Sequence, residues 1–239
     1  MTEELFRSDA YLRECEATIE SVDAQGVRLD RTVFYPRGGG QPGDQGVLRF
    51  ADGRELAVID TVFDKESRHI VHLIETPLAA DDVGTGVVAA IDWARRFQLM
   101  RVHTLLHLLC AVVPAGVTGG SIREGSGRLD FDLPESTLDK EELTAALNRL
   151  VSENHGVQGR WIADAELEAN PQMVRTMSVK PPVGQGRVRV IEVAGVDLQP
   201  CGGTHVRSTG EIGSVRVTKI EKKGRMNRRV NVCLVDTES

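Results

Sequence analysis

The stretch M-R-V-H-T-L-L-H-L-L-C, residues 100–110, is apolar almost throughout yet carries two histidines one helical turn apart, His103 and His107. It continues I-D-W-A-R-R-F-Q-L-M, where Asp92 is a suitable N-cap. Apolar residues then recur at helical spacing through Phe97, Met100, Leu105, Leu108 and Leu109, until Pro114 and Gly116 stop the helix. Residues four apart on a helix face the same way, about 6 Å along the axis, so both imidazoles can address one ion. Alone, such a pair is a weak metal signal. A second segment, P-C-G-G-T-H at 200–205, repeats the four-residue offset with Cys201 and His205, and Gly202 and Gly203 between them permit a tight loop. Three imidazoles and a thiolate form a tetrahedral N/S set that suits Zn²⁺ better than Mg²⁺ or Ca²⁺, one ion per chain. Four protein ligands would close the shell, and three plus a water would leave an open position; the sequence is compatible with both. Thr104, Leu105 and Leu106 stand between the histidines, so the glutamate of an H-E-x-x-H protease is missing. Cys110 lies about 10 Å along the axis from His103 and reads as a buried small hydrophobe. His69, His72 and His155 have no such constellation around them and read as ordinary histidines.

Outward from this helix, residues 12–74 are strand-like and turn-rich: A-T-I-E-S-V alternates, and E-L-A-V-I-D-T-V-F is rich in β-branched residues. Several short strands with glycine turns predict a small antiparallel barrel. F-Y-P-R-G-G-G-Q-P-G-D-Q-G, residues 34–46, interrupts it with too much glycine and proline for regular structure. Beyond the histidine helix, L-D-K-E-E-L-T-A-A-L-N-R-L-V predicts an amphipathic helix presenting Leu143, Ala146, Leu147 and Leu150. Strands are expected at R-V-R-V-I-E-V, I-G-S-V-R-V-T-K-I and R-V-N-V-C-L-V. The fold class is therefore α+β: an N-terminal barrel-like domain over 1–90, then an α+β domain over 91–239 with helices packed on an antiparallel or mixed sheet.

The net charge of −6 and an aromatic fraction of 4% argue against a broad nucleic-acid surface or a large stacking platform. A local exception runs from 216 to 229, R-V-T-K-I-E-K-K-G-R-M-N-R-R, seven basic residues against one Glu. As a hairpin this segment can track phosphates through Lys219, Lys222, Lys223, Arg225, Arg228 and Arg229, with Arg95, Arg96 and Arg101 adding to the field. The charged N-terminus lacks a signal peptide's apolar core and no run reaches about 18 apolar residues, so a cytoplasmic protein without a membrane partner is expected. Four scattered cysteines do not form a disulfide framework. Nothing fixes the oligomeric state, and a monomer is compatible with the sequence.

D-W-A-R-R-F-Q-L-M-R-V-H-T-L-L-H-L-L, T-G-G-S-I, D-L-Q-P-C-G-G-T-H-V-R-S-T-G-E-I-G and K-K-G-R-M-N-R-R-V, in this order, resemble the editing domain of alanyl-tRNA synthetases and its free-standing relatives, the AlaX proteins. The glycine-rich 34–46 segment resembles that of the longer AlaX type. The resemblance implies an ATP-independent aminoacyl-tRNA deacylase that acts in trans on the acceptor end of tRNA(Ala), removing chiefly serine and in some members glycine. It places His103, His107, Cys201 and His205 on the family's zinc positions and Thr118 on a hydroxyl-bearing position of the smaller editors. Gly202, Gly203 and Thr204 would complete the substrate pocket, and Gly38, Gly39 and Gly40 would influence substrate selection. Two alternatives stand beside it: a threonyl-type editing deacylase with similar His and Cys pairs, and a zinc-stabilised tRNA-binding module without catalysis.

Overall fold

The alternating segments of the N-terminal half become six strands that close on themselves. In order around the barrel they are Glu14–Asp23, Gly26–Leu29, His69–Ile74, Glu55–Asp64, Gly46–Phe50 and Gly86–Ile91, every neighbouring pair antiparallel. Closure removes the unpaired edges that an open sheet of this size would expose. Ile19, Val27, Leu29, Leu48 and Val58 fill the interior. The computed structural model describes residues 2–24, 26–64, 66–133, 138–176 and 186–235.

His72 sits in this unit fully enclosed. Its Nδ1–H can only donate to the Val27 carbonyl, 3.1 Å away, and its Nε2 accepts from the Thr32 hydroxyl at 2.8 Å. The Thr32 oxygen in turn accepts the Phe34 backbone N–H at 3.0 Å. Every position around the ring is thus committed to the neutral tautomer, and the ordinary-histidine reading of His72 holds.

The glycine-rich segment ends in a buried anchor. Asp44 pairs with Arg96, the two side chains 1% and 0% exposed. The guanidinium also donates to the carbonyls of Ala10 at 2.9 Å and Val33 at 2.7 Å, and Asp44 accepts the Tyr35 N–H at 2.6 Å. Arg95 donates to the Gly43 carbonyl at 2.8 Å. These commitments correct the expectation that Arg95 and Arg96 add to a phosphate-binding field: one is buried in an ion pair, the other tied to backbone. Inside the loop, Gly38 and Gln41 exchange backbone hydrogen bonds of 3.1 and 2.9 Å across Gly39 and Gly40, whose φ angles of 57° and 84° require glycine.

The histidine helix spans Trp93–Val112, with the Asp92 carboxylate accepting the Arg95 N–H at 3.0 Å as a cap. The chain divides into two compact units between Gln98 and Leu99, inside this helix. The contacts of Arg96 to Asp44, Ala10 and Val33 bind the first helical turn to the barrel unit. From Leu99 onward Met100, Val102, Leu105, Leu108 and Leu109 are fully enclosed, so the helix is buried nearly all round.

The second unit contains two antiparallel sheets. One has the order Val215–Lys223, Asn227–Leu234, Ser126–Asp132, Val117–Arg123; the other Val157–Ala163, Arg187–Val193, Asp197–Pro200. The T-G-G-S-I segment lies on the first strand of the hairpin Val117–Asp132. Its glycines give room: a Cβ on Gly127 would come within 2.8 Å of the Val102 side chain and 3.3 Å of Leu106, so glycine lets the strand lie close against the helix. The helix Lys140–Ser152, capped by Asp139, buries Leu143, Leu147 and Val151. Asn148 and Thr144 on this helix hydrogen-bond the backbone of Val215 and Val217, covering a strand edge.

Burial lowers the His72 pKa from an ordinary 6.5 to about 4, so between these values the unfolded chain binds the proton more readily. The contribution is therefore intact above pH 6.5 and is lost as pH falls towards about 4, by on the order of 3 kcal/mol. Urea midpoints of the wild-type protein should fall across this window. In His72→Asn the midpoint should be lower at pH 7 and its further decline towards pH 4 shallower; parallel declines would show that His72 does not titrate this way.

Candidate metal centre

The helix delivers His103 and His107 one turn apart, and the strand Asp197–Pro200 ends immediately before Cys201, so that the tight C-G-G-T-H loop brings Cys201 and His205 against them. The ligand atoms of all four residues lie within 4.8 Å of one another. Cys201 Sγ is 3.5 Å from His103 Nε2 and 3.3 Å from His205 Nε2. Donors gathered this closely can reach a single ion at ordinary zinc bond lengths of about 2.0–2.3 Å.

Hydrogen bonds on the far side of two rings decide which nitrogen is free. His107 Nδ1 donates to the buried Asp197 carboxylate at 2.9 Å, which turns Nε2 inward; Gln199 Nε2 donates to the same carboxylate oxygen at 2.7 Å. The Thr104 hydroxyl gives its proton to the Met100 carbonyl at 3.0 Å, so its oxygen can only accept from His205 Nδ1 at 3.1 Å. It also accepts the Val206 N–H. His205 Nε2 is therefore a free lone pair facing the sulfur. A carboxylate or hydroxyl behind an imidazole is the usual support of a metal-binding histidine.

Electrostatics agree with the donor set. Burial opposes a thiolate at Cys201, but the imidazoles around it, His103 first, hold its pKa well below that of an ordinary thiol. Burial likewise opposes a charged His107, yet the hydrogen bonds to Asp197 and Cys201 lift it to about 9. His205 is held well below its ordinary value, by burial first and then by its proximity to His103. The cluster thus favours a thiolate balanced by nearby positive charge, a role that a divalent cation fills in place of protons. Three imidazoles and one thiolate with two tautomers already set fit zinc.

The loop is braced from the neighbouring strand. Arg189 Nη1 donates to the carbonyls of Cys201 and Gly203, each at 2.9 Å, while the Gly203 N–H points at Cys201 Sγ at 3.4 Å. Thr204 is fully buried and Gly202 exposed. Thr118 lies on a strand, where its hydroxyl is 3.1 Å from the Asp130 carbonyl and 3.0 Å from Asn227 Oδ1. Cys110 is buried, its thiol pushed up to about 12 by burial, as befits an inert packing residue. His155 pairs with Glu153 on the surface.

The basic segment does form a hairpin, Val215–Lys223 paired with Asn227–Leu234. Its charges are partly neutralised within the sheet. Arg229 makes two bonds to Asp130, 2.6 and 2.9 Å, and Lys219 and Lys223 flank Glu221 at 3.0 and 3.4 Å. Lys222, Lys223 and Arg225 are exposed at its tip. Arg101, also expected to add basic field, donates to the Ile212 carbonyl at 2.9 Å.

Residues that the sequence reading passed over include Asp197, Gln199 and Arg189. The signal was present in D-L-Q-P-C: alternation along a strand puts Asp197, Gln199 and Cys201 on one face.

Residues 188–231 match the family model described as the threonyl and alanyl tRNA synthetase second additional domain, and residues 8–95 match that of class II (A) tRNA synthetases. Each unit thus holds a match to one of these two models. The whole chain is similar to the alanyl-tRNA editing protein AlaX-M of Methanosarcina mazei, 36% identical over 100% of this chain and 99% of the relative. A protein of the same name from Saccharolobus solfataricus is 33% identical over 96% and 98% of the two chains. The alanine–tRNA ligase of Pyrococcus furiosus matches 92% of this chain at 34% identity, through 24% of its own length. The chain belongs to the family of alanyl-tRNA editing proteins. Among the described residues, no helix is long and apolar enough to cross a membrane.

Asp197→Asn retains the shape but removes the charge behind His107. Zinc affinity, measured by competition with a chromophoric chelator, should fall about 10- to 100-fold. An unchanged affinity would show that Asp197 does not support a metal ligand.

Proposed function

We propose that this chain hydrolyses the ester joining a wrongly attached serine to the 3′-terminal ribose of tRNA(Ala), with one Zn²⁺ held by His103, His107, Cys201 and His205. The observation that carries this reading is the convergence of those four side chains, with tautomers set from behind, in a chain of the alanyl-tRNA editing family. When bound, the ion would supply positive charge able to orient and polarise an ester oxygen or lower the pKa of a water.

The chain's own groups account for the remaining demands. Asp197 and Thr104 hold two ligands so that the site needs little reorganisation, which is what makes electrostatic stabilisation effective. Arg189 fixes the loop carbonyls on either side of exposed Gly202, where the backbone can approach a substrate without a side chain intervening. Thr118, Gly202, Gly203 and Thr204 form the pocket in this reading. The Thr118 hydroxyl already spends its proton inside the sheet, so it meets a ligand as an acceptor. Serine can donate to it and alanine cannot, a contrast larger than that available from shape alone. Lys222, Lys223 and Arg225 are the hairpin charges placed to meet acceptor-stem phosphates, with Lys219, Arg228 and Arg229 behind them.

The test is release of labelled serine from seryl-tRNA(Ala) by the zinc-loaded protein, beside alanyl-tRNA(Ala) and mischarged threonine tRNA. Serine should leave tRNA(Ala) much faster than alanine, with threonine tRNA spared, and Cys201→Ala should lower the rate by roughly 100-fold or more. Serine retained on a tRNA that still binds would overturn the deacylase reading in favour of a binding module.

A further inference from the structure

In the three-stranded sheet Val157–Ala163, Arg187–Val193, Asp197–Pro200, Ile162, Val188 and Val190 share one face and bury themselves against Leu167 and Met173. The other face buries Val157, Ile191 and Val193 along most of its length. At the end of that second face Trp161 stands opposite Arg189 in the strand register. The next pair beyond Val190 and Pro200 in the adjoining ladder is Arg189 and Cys201, whose N–H donates to the Arg189 carbonyl at 3.1 Å. Opposed residues of antiparallel strands project from the same face, so Trp161, Arg189 and Cys201 form one row. Two strand spacings, about 10 Å, separate the backbone of the tryptophan from that of the metal-loop cysteine.

Trp161 is 47% exposed, although an indole is one of the more costly side chains to leave in water. The chain has two tryptophans, and the other, Trp93, packs on the barrel core. The Arg187 guanidinium lies over the Trp161 ring, 4.7 Å from its centroid. Gly159, on the same strand, keeps space beside the row: a Cβ there would approach Arg189 Nη2 to 2.9 Å. A flat ring flanked by arginines and in line with the metal loop matches a nucleotide better than a peptide, because a base offers a π-face and its phosphate offers the opposite charge.

We propose that Trp161 and Arg187 form the platform for the terminal nucleotide of the aminoacyl-tRNA, the base stacking on the indole and its phosphate meeting Arg187, so that the esterified ribose lies over the Cys201 loop. Arg189 acts as a positioning residue, through the loop carbonyls it holds. The proposal rests on the deacylase reading for the identity of the ligand.

The test is a binding cycle on the full-length, zinc-loaded protein. Dissociation constants are measured for tRNA(Ala) with its complete 3′ end and for tRNA(Ala) lacking the 3′-terminal adenosine, with wild type, Trp161→Ala and Trp161→Phe. Trp161→Ala should weaken binding of the complete RNA by about 5- to 100-fold and leave the truncated RNA nearly unaffected, while Trp161→Phe restores most of the loss. Equal losses on both RNAs, or no loss on either, would overturn the platform. Serine release by the wild-type protein, run in parallel, separates the two readings. No release together with a nucleotide-dependent loss removes the deacylase and leaves the platform; release with KM unchanged in Trp161→Ala removes the platform and leaves the deacylase.

Discussion

Four side chains from two segments almost a hundred residues apart converge until their ligand atoms lie within 4.8 Å of one another, and the second unit is organised around that convergence. The helix meets its half through the i, i+4 offset of His103 and His107. The loop meets the other half only because something holds it: Arg189 grips two of its carbonyls, and Thr104 fixes both His205 and the Val206 N–H. Gly127 lets a strand close over the same helix. A thiolate and three imidazoles in a buried site would be costly without a balancing charge, which is why the polar shell of Asp197, Gln199 and Thr104 is fully hydrogen-bonded.

The barrel unit has a different kind of anchor. Its interior is closed and, apart from the hydrogen-bonded His72, largely apolar, but the glycine-rich segment contributes little apolar area and is held instead by the enclosed pair Arg96–Asp44 and the backbone groups around it. A buried pair of this type adds less to stability than its Coulombic attraction implies, because both ions lose their hydration. Removing either partner alone would leave an uncompensated buried charge. The pair therefore gives the segment a unique conformation, and Arg96 owes its place in D-W-A-R-R to packing rather than to phosphate.

Much of this was legible in the sequence, for identifiable reasons. Helical periodicity between Asp92 and Pro114 located the central helix, alternation located the barrel strands, and residue type with spacing assembled the four metal-site candidates. The resemblance to the AlaX proteins is borne out by relatives that match along the whole chain. The hairpin Val117–Asp132 was not legible, because glycines chosen for close packing look like glycines chosen for a turn. Charge was the other weak signal: Arg95, Arg96, Arg101 and Arg229 read as available cations, whereas each is engaged by a carbonyl or carboxylate. Asp197 escaped notice because a carboxylate behind a histidine of this cluster is marked only by its position in the fold.

The most direct test of the central claim is X-ray absorption at the zinc edge on the purified, zinc-loaded protein. One sulfur scatterer at about 2.3 Å and three nitrogen scatterers at about 2.0–2.1 Å would match His103, His107, Cys201 and His205 acting on one ion. Replacement of Cys201 by Ala should remove the sulfur shell. A spectrum without sulfur, or one in which the sulfur survives in that variant, would contradict the site.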